Sequence, residues 1–164
     1  MIERDISNDT MMKVRIIAMN FFSLLLVLAC MLLMSCNIDL ETSDNGKLDG
    51  YWHIERIDSL ENGNSLDYSD RLMFWAIQLR FLEVRDRDNH LGAYLLRFDH
   101  TGDSLLLSNP HLSDKNSGDP VVEDVEVLRP YGINELNERF KVEKLSGNKM
   151  ILKNRFLRLN FKKL

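Results

Sequence analysis

From Leu48 to the C-terminus, apolar residues recur mainly at every second position, the period of a half-buried β-strand. In "YWHIER", Trp52, Ile54 and Arg56 share one face, and Tyr51, His53 and Glu55 the other. "MFWAIQLRF" stacks Met73, Trp75, Ile77, Leu79 and Phe81 on one face and predicts a single strand. A helical spacing (Leu72, Trp75, Leu79, Leu82) runs through the same stretch, but its aromatic and β-branched content favours the strand. "YLLRFDHTGDSLLLS" is a hairpin pattern: Tyr94, Leu96 and Phe98 alternate, His100-Thr101-Gly102-Asp103 turn, and residues 104–108 return. Residues 109–120 form a loop by composition, 121–128 fit a short strand or a short helix, and Pro130-Tyr131-Gly132 break the chain. Residues 139–145, 149–153 and 156–163 make a closing meander around Ser146-Gly147-Asn148 and Asn154-Arg155. Seven or eight short strands without a repeat predict an all-β antiparallel barrel or sandwich, with room for one short helix near 121–128. The barrel is favoured because closure leaves so small a sheet no exposed edge.

The chain ahead of Leu48 is different. Residues 16–35 carry no ionisable side chain except the Cys30 thiol, and Lys13 and Arg15 precede them. A basic segment followed by an apolar one is the layout of a secretory signal. The acidic opening "MIERDISNDT" suits it poorly, whereas a start at Met11 or Met12 gives a cleaner one. About 20 apolar residues also suffice to cross a bilayer, and the basic flank would keep the amino side cytoplasmic. Either way the domain lies outside. Leu33-Met34-Ser35-Cys36 resembles the bacterial lipobox. The resemblance implies that residues 1–35 are a signal peptide, cut before Cys36, and that Cys36 carries a diacylglyceryl thioether and an acylated amine. Two or more acyl chains anchor firmly where one does so marginally. A bare membrane helix needs no cysteine after Ser35, so the lipoprotein is the preferred reading. Residues 36–47 are then the lipidated cysteine and a polar, flexible tether. Its acids Asp39, Glu41 and Asp44 resemble the surface-export signal of lipoproteins in Bacteroides-type bacteria. The expected location is the cell envelope, at the outer membrane, with periplasmic and surface faces both open.

Gly50-Tyr51-Trp52 resembles the Gly-x-Trp signature that opens the first strand of lipocalins, and "KMILKNRFLRLNFKKL" is similar to the last strands of lipocalin-like lipoproteins in Bacteroides-type bacteria. The resemblance implies that residues 48–164 form a small lipocalin-like barrel binding a small hydrophobic or amphipathic ligand. It also implies a basic residue across the signature tryptophan, at the barrel floor. If the first and last strands pair antiparallel, parity puts Lys163 beside Trp52, with Arg158 the alternative if a bulge shifts the register. Trp75, Phe81, Tyr94 and Phe98 are the candidate ligand-lining residues. The chain is short for a lipocalin and lacks the family's usual disulfide. An eight-stranded barrel holds one small ligand or is filled by its own side chains. A filled barrel would make the protein an interaction module for a protein or glycan partner on the envelope.

Composition narrows the chemistry. At 164 residues the chain holds one domain. Removing residues 1–35 leaves 18 Lys+Arg and 22 Asp+Glu, a net charge of −4, which argues against a nucleic-acid binder. The charge is uneven, however: residues 139–163 hold nine basic residues and only Glu143 as an acid, while residues 99–138 hold nine acids and only Lys115 and Arg129 as bases. Outward strand faces that complement each other are the expected arrangement; a basic patch for anionic headgroups or an acidic ligand is the other. With Cys36 the only cysteine after the signal, thiol chemistry and cysteine-based zinc are excluded. His53, His90, His100 and His111 show no His-x-His or His-x-x-x-His spacing. His100, between Asp99 and Asp103, reads as a turn residue. Glu83, Asp86 and Asp88 alternate with Arg85 and Arg87 as on a solvated strand end. No nucleophile elbow, phosphate loop or dinucleotide fingerprint is present. No enzyme, metal or cofactor is expected.

Overall fold

A computed structural model describes residues 15, 19–25, 42–114 and 116–164. The chain divides into two units, Met1–Leu40 and Glu41–Leu164. In the first, residues 19–25 are helical, with Met19, Phe21, Phe22, Leu24 and Leu25 exposed. Among the described residues no helix is long and apolar enough to cross a membrane. Cys36 and residues 37–41 of the expected tether lie outside the described residues.

The second unit is an antiparallel barrel. Its strands are β1 (Gly50–Ser59), β2 (Ser65–Asp67), β3 (Met73–Gln78), β4 (Phe81–Asp86), β5 (Tyr94–Thr101), β6 (Ser104–Leu112), β7 (Glu138–Leu145), β8 (Lys149–Lys153) and β9 (Leu157–Lys163). Each of β3 to β9 pairs with its neighbour in sequence, and β1 pairs with both β3 and β9, so eight strands close. The short β2 adds to the far end of β1, Arg56 opposite Asp67. The predicted fold class holds, and the expected helix is a single 3₁₀ turn, Val125–Val127, followed by another at Arg129–Tyr131.

Several local expectations give way to backbone chemistry. "MFWAIQLRF" is two strands rather than one, reversing at Leu79-Arg80 with Leu79 in the left-handed region (φ 56°). That conformation is costly for a leucine, and two bonds from outside the sheet hold it. The Leu79 N–H donates to Ser43 Oγ (2.7 Å), and Asn45 Nδ2 donates to the Leu79 carbonyl (2.8 Å). Residues 43–47, expected in the tether, therefore belong to the fold. Asp49 completes the latch by accepting from Ser43 Oγ (2.6 Å) and Asn45 Nδ2 (2.7 Å). In β1 a bulge between Ile54 and Arg56 turns Arg56 outward and Ile57 inward, breaking the expected face. β6 continues past Ser108 to Leu112, through a register shift at Asn109 (φ 50°) and Pro110. Proline has no N–H for a ladder and is tolerated at such a bulge.

Among the described residues, the core draws on residues from Leu48 onward. Inward alternation gives it Trp52, Ile54, Trp75, Ile77, Leu82, Val84, Leu96, Leu107, Phe140, Leu152, Leu159 and Phe161. The floor is closed by the 3₁₀ turn Gly46–Leu48, whose Leu48 is fully buried. The mouth is closed by Leu128, Tyr131 and Ile133 from the β6–β7 connection.

Gly132 makes that second closure possible. It ends the Arg129–Tyr131 turn at φ 82°, and a Cβ there would lie 2.6 Å from Leu159 Cδ2. Gly132→Ala is expected to destabilise the barrel by more than about 1 kcal/mol, since strain and overlap act together. Urea unfolding should show a lower midpoint at an unchanged slope; an unchanged midpoint would mean that the turn yields without cost.

Candidate functional site

The floor is built on Gly50, Trp52 and Lys163. Trp52 and Lys163 are direct partners across β1 and β9. The indole is fully buried, and its Nε1–H donates to the Leu48 carbonyl (2.8 Å). Lys163 Nζ stands 4.9 Å from the indole centroid, within cation–π range, and donates to the Lys47 carbonyl (3.1 Å). Gly50 has a geometric reason to lack a side chain. At φ 132°, its Cβ would sit 2.2 Å from Lys163 Cε, so glycine clears the path by which the lysine stem reaches the indole. Lys163 is thus where parity puts it. Arg158 instead pairs with Asp58, toward the mouth.

Above the floor, aromatic side chains occupy the interior. The Trp75 ring lies 5.7 Å from Phe140, edge-on, and 5.0 Å from Phe161. Its Nε1–H donates to the Tyr131 carbonyl (3.2 Å). Tyr131 meets Tyr94 edge-on at 6.1 Å, and its hydroxyl donates to the Gly92 carbonyl. Burial, reinforced by the Asp86 carboxylate, pushes the Tyr131 phenol well above the ordinary tyrosine range, so it stays a neutral donor. Glu138 Oε2 accepts the N–H groups of Asn134 (2.8 Å) and Glu135 (3.0 Å) and fixes the end of the mouth connection; burial raises its carboxyl above the ordinary value.

Of the four candidate lining residues, Trp75, Tyr94 and Phe98 face inward and are buried. Phe81 does not. The reversal at Leu79-Arg80 restarts the alternation, so Leu82 and Val84 point in while Phe81 is 37% exposed, with the Arg97 guanidinium 5.2 Å from its ring. On the outside, Phe81 and Leu95 border two adjoining grooves of about 320 Å³ each over β3 to β6. Tyr131, the largest residue at the mouth, is not legible as a site residue in sequence, where Pro130-Tyr131-Gly132 signals only a chain break.

Among the described residues, one group of three His and acidic side chains comes together, Asp86, Asp88 and His90, and His100 is not part of it. The Asp86 carboxylate is spent on its own loop, accepting N–H groups from Asp88 (2.9 Å), His90 (3.0 Å) and Leu91 (3.1 Å). Asp86 is buried, contrary to the solvated strand end expected of it, because those loop amides replace water. His53 contacts Glu55 Oε1 (2.8 Å) and the Arg71 carbonyl (2.6 Å) and packs on Phe74, pinning the 68–72 loop to the outer sheet.

Comparison with known proteins matches residues 31–164 to the family model of a lipocalin-like domain. No curated protein matches. Among solved structures, a lipocalin-like protein from Bacteroides uniformis superposes with a TM-score of 0.55 at 20% identity, covering 73% of this chain and 100% of that one. An uncharacterized protein from Bacteroides eggerthii gives a TM-score of 0.45 at 16% identity, over 71% and 98% of the two chains.

The floor geometry separates burial from charge. Trp52→Ala should destabilise by roughly 3–5 kcal/mol, the cost of emptying a buried aromatic site. Lys163→Ala should cost about 0.5–2 kcal/mol, the range of one cation–π contact. Denaturant unfolding of the two variants checks the order; equal costs would mean that the floor depends on the lysine as much as on the indole.

Proposed function

The chain belongs to the lipocalin-like domain family, and from that premise we propose that it is a lipid-anchored envelope protein acting as a non-enzymatic interaction module. The packed interior carries this reading. Trp52, Trp75, Tyr131, Phe140 and Phe161 are fully buried against one another and their neighbours, between a floor closed by Leu48 and a mouth closed by Tyr131. A barrel filled by its own side chains offers a partner its outside. The partner is a protein or a glycan. The anchor is Cys36, acylated after removal of residues 1–35, and the location is the outer membrane. The Leu33-Met34-Ser35-Cys36 motif supports that placement.

A second reading rests on how the mouth is closed. Its cover is a connection between strands, and Tyr131 is held there by its hydroxyl bond to Gly92 and its carbonyl bond to Trp75. Withdrawal of Tyr131 would open a space beside Trp75 and Tyr94 suited to a small hydrophobic or amphipathic ligand.

Two experiments test these readings. Growth on a clickable fatty-acid analogue should label the protein, and Cys36→Ala should abolish the label; label that survives the substitution removes the anchor. Titration with fatty acids, sterols and tetrapyrroles should leave tryptophan emission unchanged in a filled barrel. A saturable change, strengthened by Tyr131→Ala, would replace the interaction module with the ligand-binding reading.

A further inference from the structure

Seven of the nine basic residues between 139 and 163 lie on the outer face of β7 to β9; Arg155 sits in the β8–β9 turn, and Lys163 turns under the floor to Trp52. Along β7 to β9, Lys149 is the direct partner of Lys162, Lys153 of Arg158, and Lys141 of Lys153. Like charges directly opposite one another on a sheet are destabilising. The acid-rich stretch 99–138 does not relieve them: among the described residues, its one ion pair with this face is Lys141–Asp103, at 4.0 Å. Glu143 is committed to Arg158 (2.6 Å) and Asp58 to Arg56 (2.8 Å). Lys149, Lys153 and Lys162 make no ion pair among the described residues. Beside the Lys149–Lys162 pair runs a groove of about 380 Å³, bordered by Arg56, Asn148 and Asn160, with Glu55 its one acid. The complementary charges expected from sequence are thus segregated, with Glu123, Asp124, Glu126 and Glu135 exposed in the mouth connection.

The position of this face relative to the tether suggests its partner. The chain enters the barrel at the floor, where Ser43 and Asn45 latch Leu79. The Lys149 end of the basic face is also at the floor, since the Lys163 N–H donates to the Asn148 carbonyl and Lys163 Nζ reaches Lys47. Six residues lie between Cys36 and Ser43, seven steps of chain that reach at most about 25 Å. Lys47 and Arg80 are exposed on the same floor.

We propose that the outer face of β7 to β9 docks on anionic phospholipid headgroups of the bilayer that holds the anchor, with the acidic mouth turned away. The proposal rests on the lipid-anchor reading and goes beyond it by giving the outer surface a second contact, the bilayer itself. Each basic residue near an anionic surface strengthens partition by about fivefold, and salt weakens the attraction within a screening length of about 8 Å at physiological strength.

The test uses residues 37–164, which contain every core residue among those described and no cysteine, so no acyl chain can contribute. This protein should co-sediment with phosphatidylcholine vesicles that contain phosphatidylglycerol, but not with pure phosphatidylcholine, and high salt should release it. The triple variant Lys149→Glu, Lys153→Glu, Lys162→Glu should lose at least about 100-fold in partition. Reversal of Arg85, Arg87 and Arg97, on the β4 and β5 side of the barrel, should leave partition unchanged, with thermal unfolding confirming that both variants fold. No binding to anionic vesicles, or equal loss in the two triple variants, overturns the proposal and leaves the Cys36 anchor standing. Loss of the Cys36 label with vesicle binding intact removes the anchor alone. Binding to a soluble polyanion without binding to vesicles also overturns it, in favour of an anionic macromolecule.

Discussion

The meeting of the first and last strands is the constraint on which the rest of this barrel depends. A sheet that closes must bring β1 and β9 together in register, and seven residue pairs do so between Trp52–Ser59 and Leu157–Lys163. The register puts Trp52 opposite Lys163, which in turn requires a residue without a side chain at Gly50. Closure also fixes the interior. Once the strands are joined in a circle of eight, the inward alternation of each must share one narrow space, and two tryptophans and two phenylalanines are buried in it. A residue slipped by one position would exchange a core face for an outer one, and the bulge at Glu55 shows this happening locally to Arg56 and Ile57.

This constraint explains why much of the fold was legible in the sequence. Residues that alternate strictly, such as Tyr94, Leu96 and Phe98, declared their strand and its buried face. The closing meander was legible because Ser146-Gly147-Asn148 and Asn154-Arg155 carry the turn chemistry themselves. Lys163 could be paired with Trp52 because parity along an unbroken stretch of β9 is arithmetic. The failures have a different origin. Nothing in "QLRF" signals a turn, since Leu79 and Arg80 are ordinary strand residues; the reversal is imposed by Ser43 and Asn45, more than 30 residues away in sequence. The outward placement of Phe81 follows from that same long-range contact. Tyr131 was hidden because a residue in a loop has no periodicity to declare which way it faces.

The two ends and two sides of the barrel differ in ways that composition alone conceals. A net charge of −4 suggests a mildly acidic, evenly solvated molecule. The fold instead gathers lysines and arginines on β7 to β9 and leaves acids around the mouth. Local pairs such as Arg85–Glu83 and Arg129–Glu126 bind neighbours within their own regions and do nothing to mix the two. A molecule of this kind carries a dipole that its total charge does not report.

The latch at Leu79 has a mechanical consequence. Tension applied to the chain at residue 42 meets Ser43, Asn45 and Asp49 first, and these couple it to the β3–β4 turn before it reaches the sheet. Beyond the latch the load enters β1 at Gly50, end-on and along the strand. β1 is flanked by β3 on one side and β9 on the other, so its ladder bonds on both sides would have to shear together rather than open one by one. Pull applied where the chain enters the domain therefore loads β1 in shear against both neighbours.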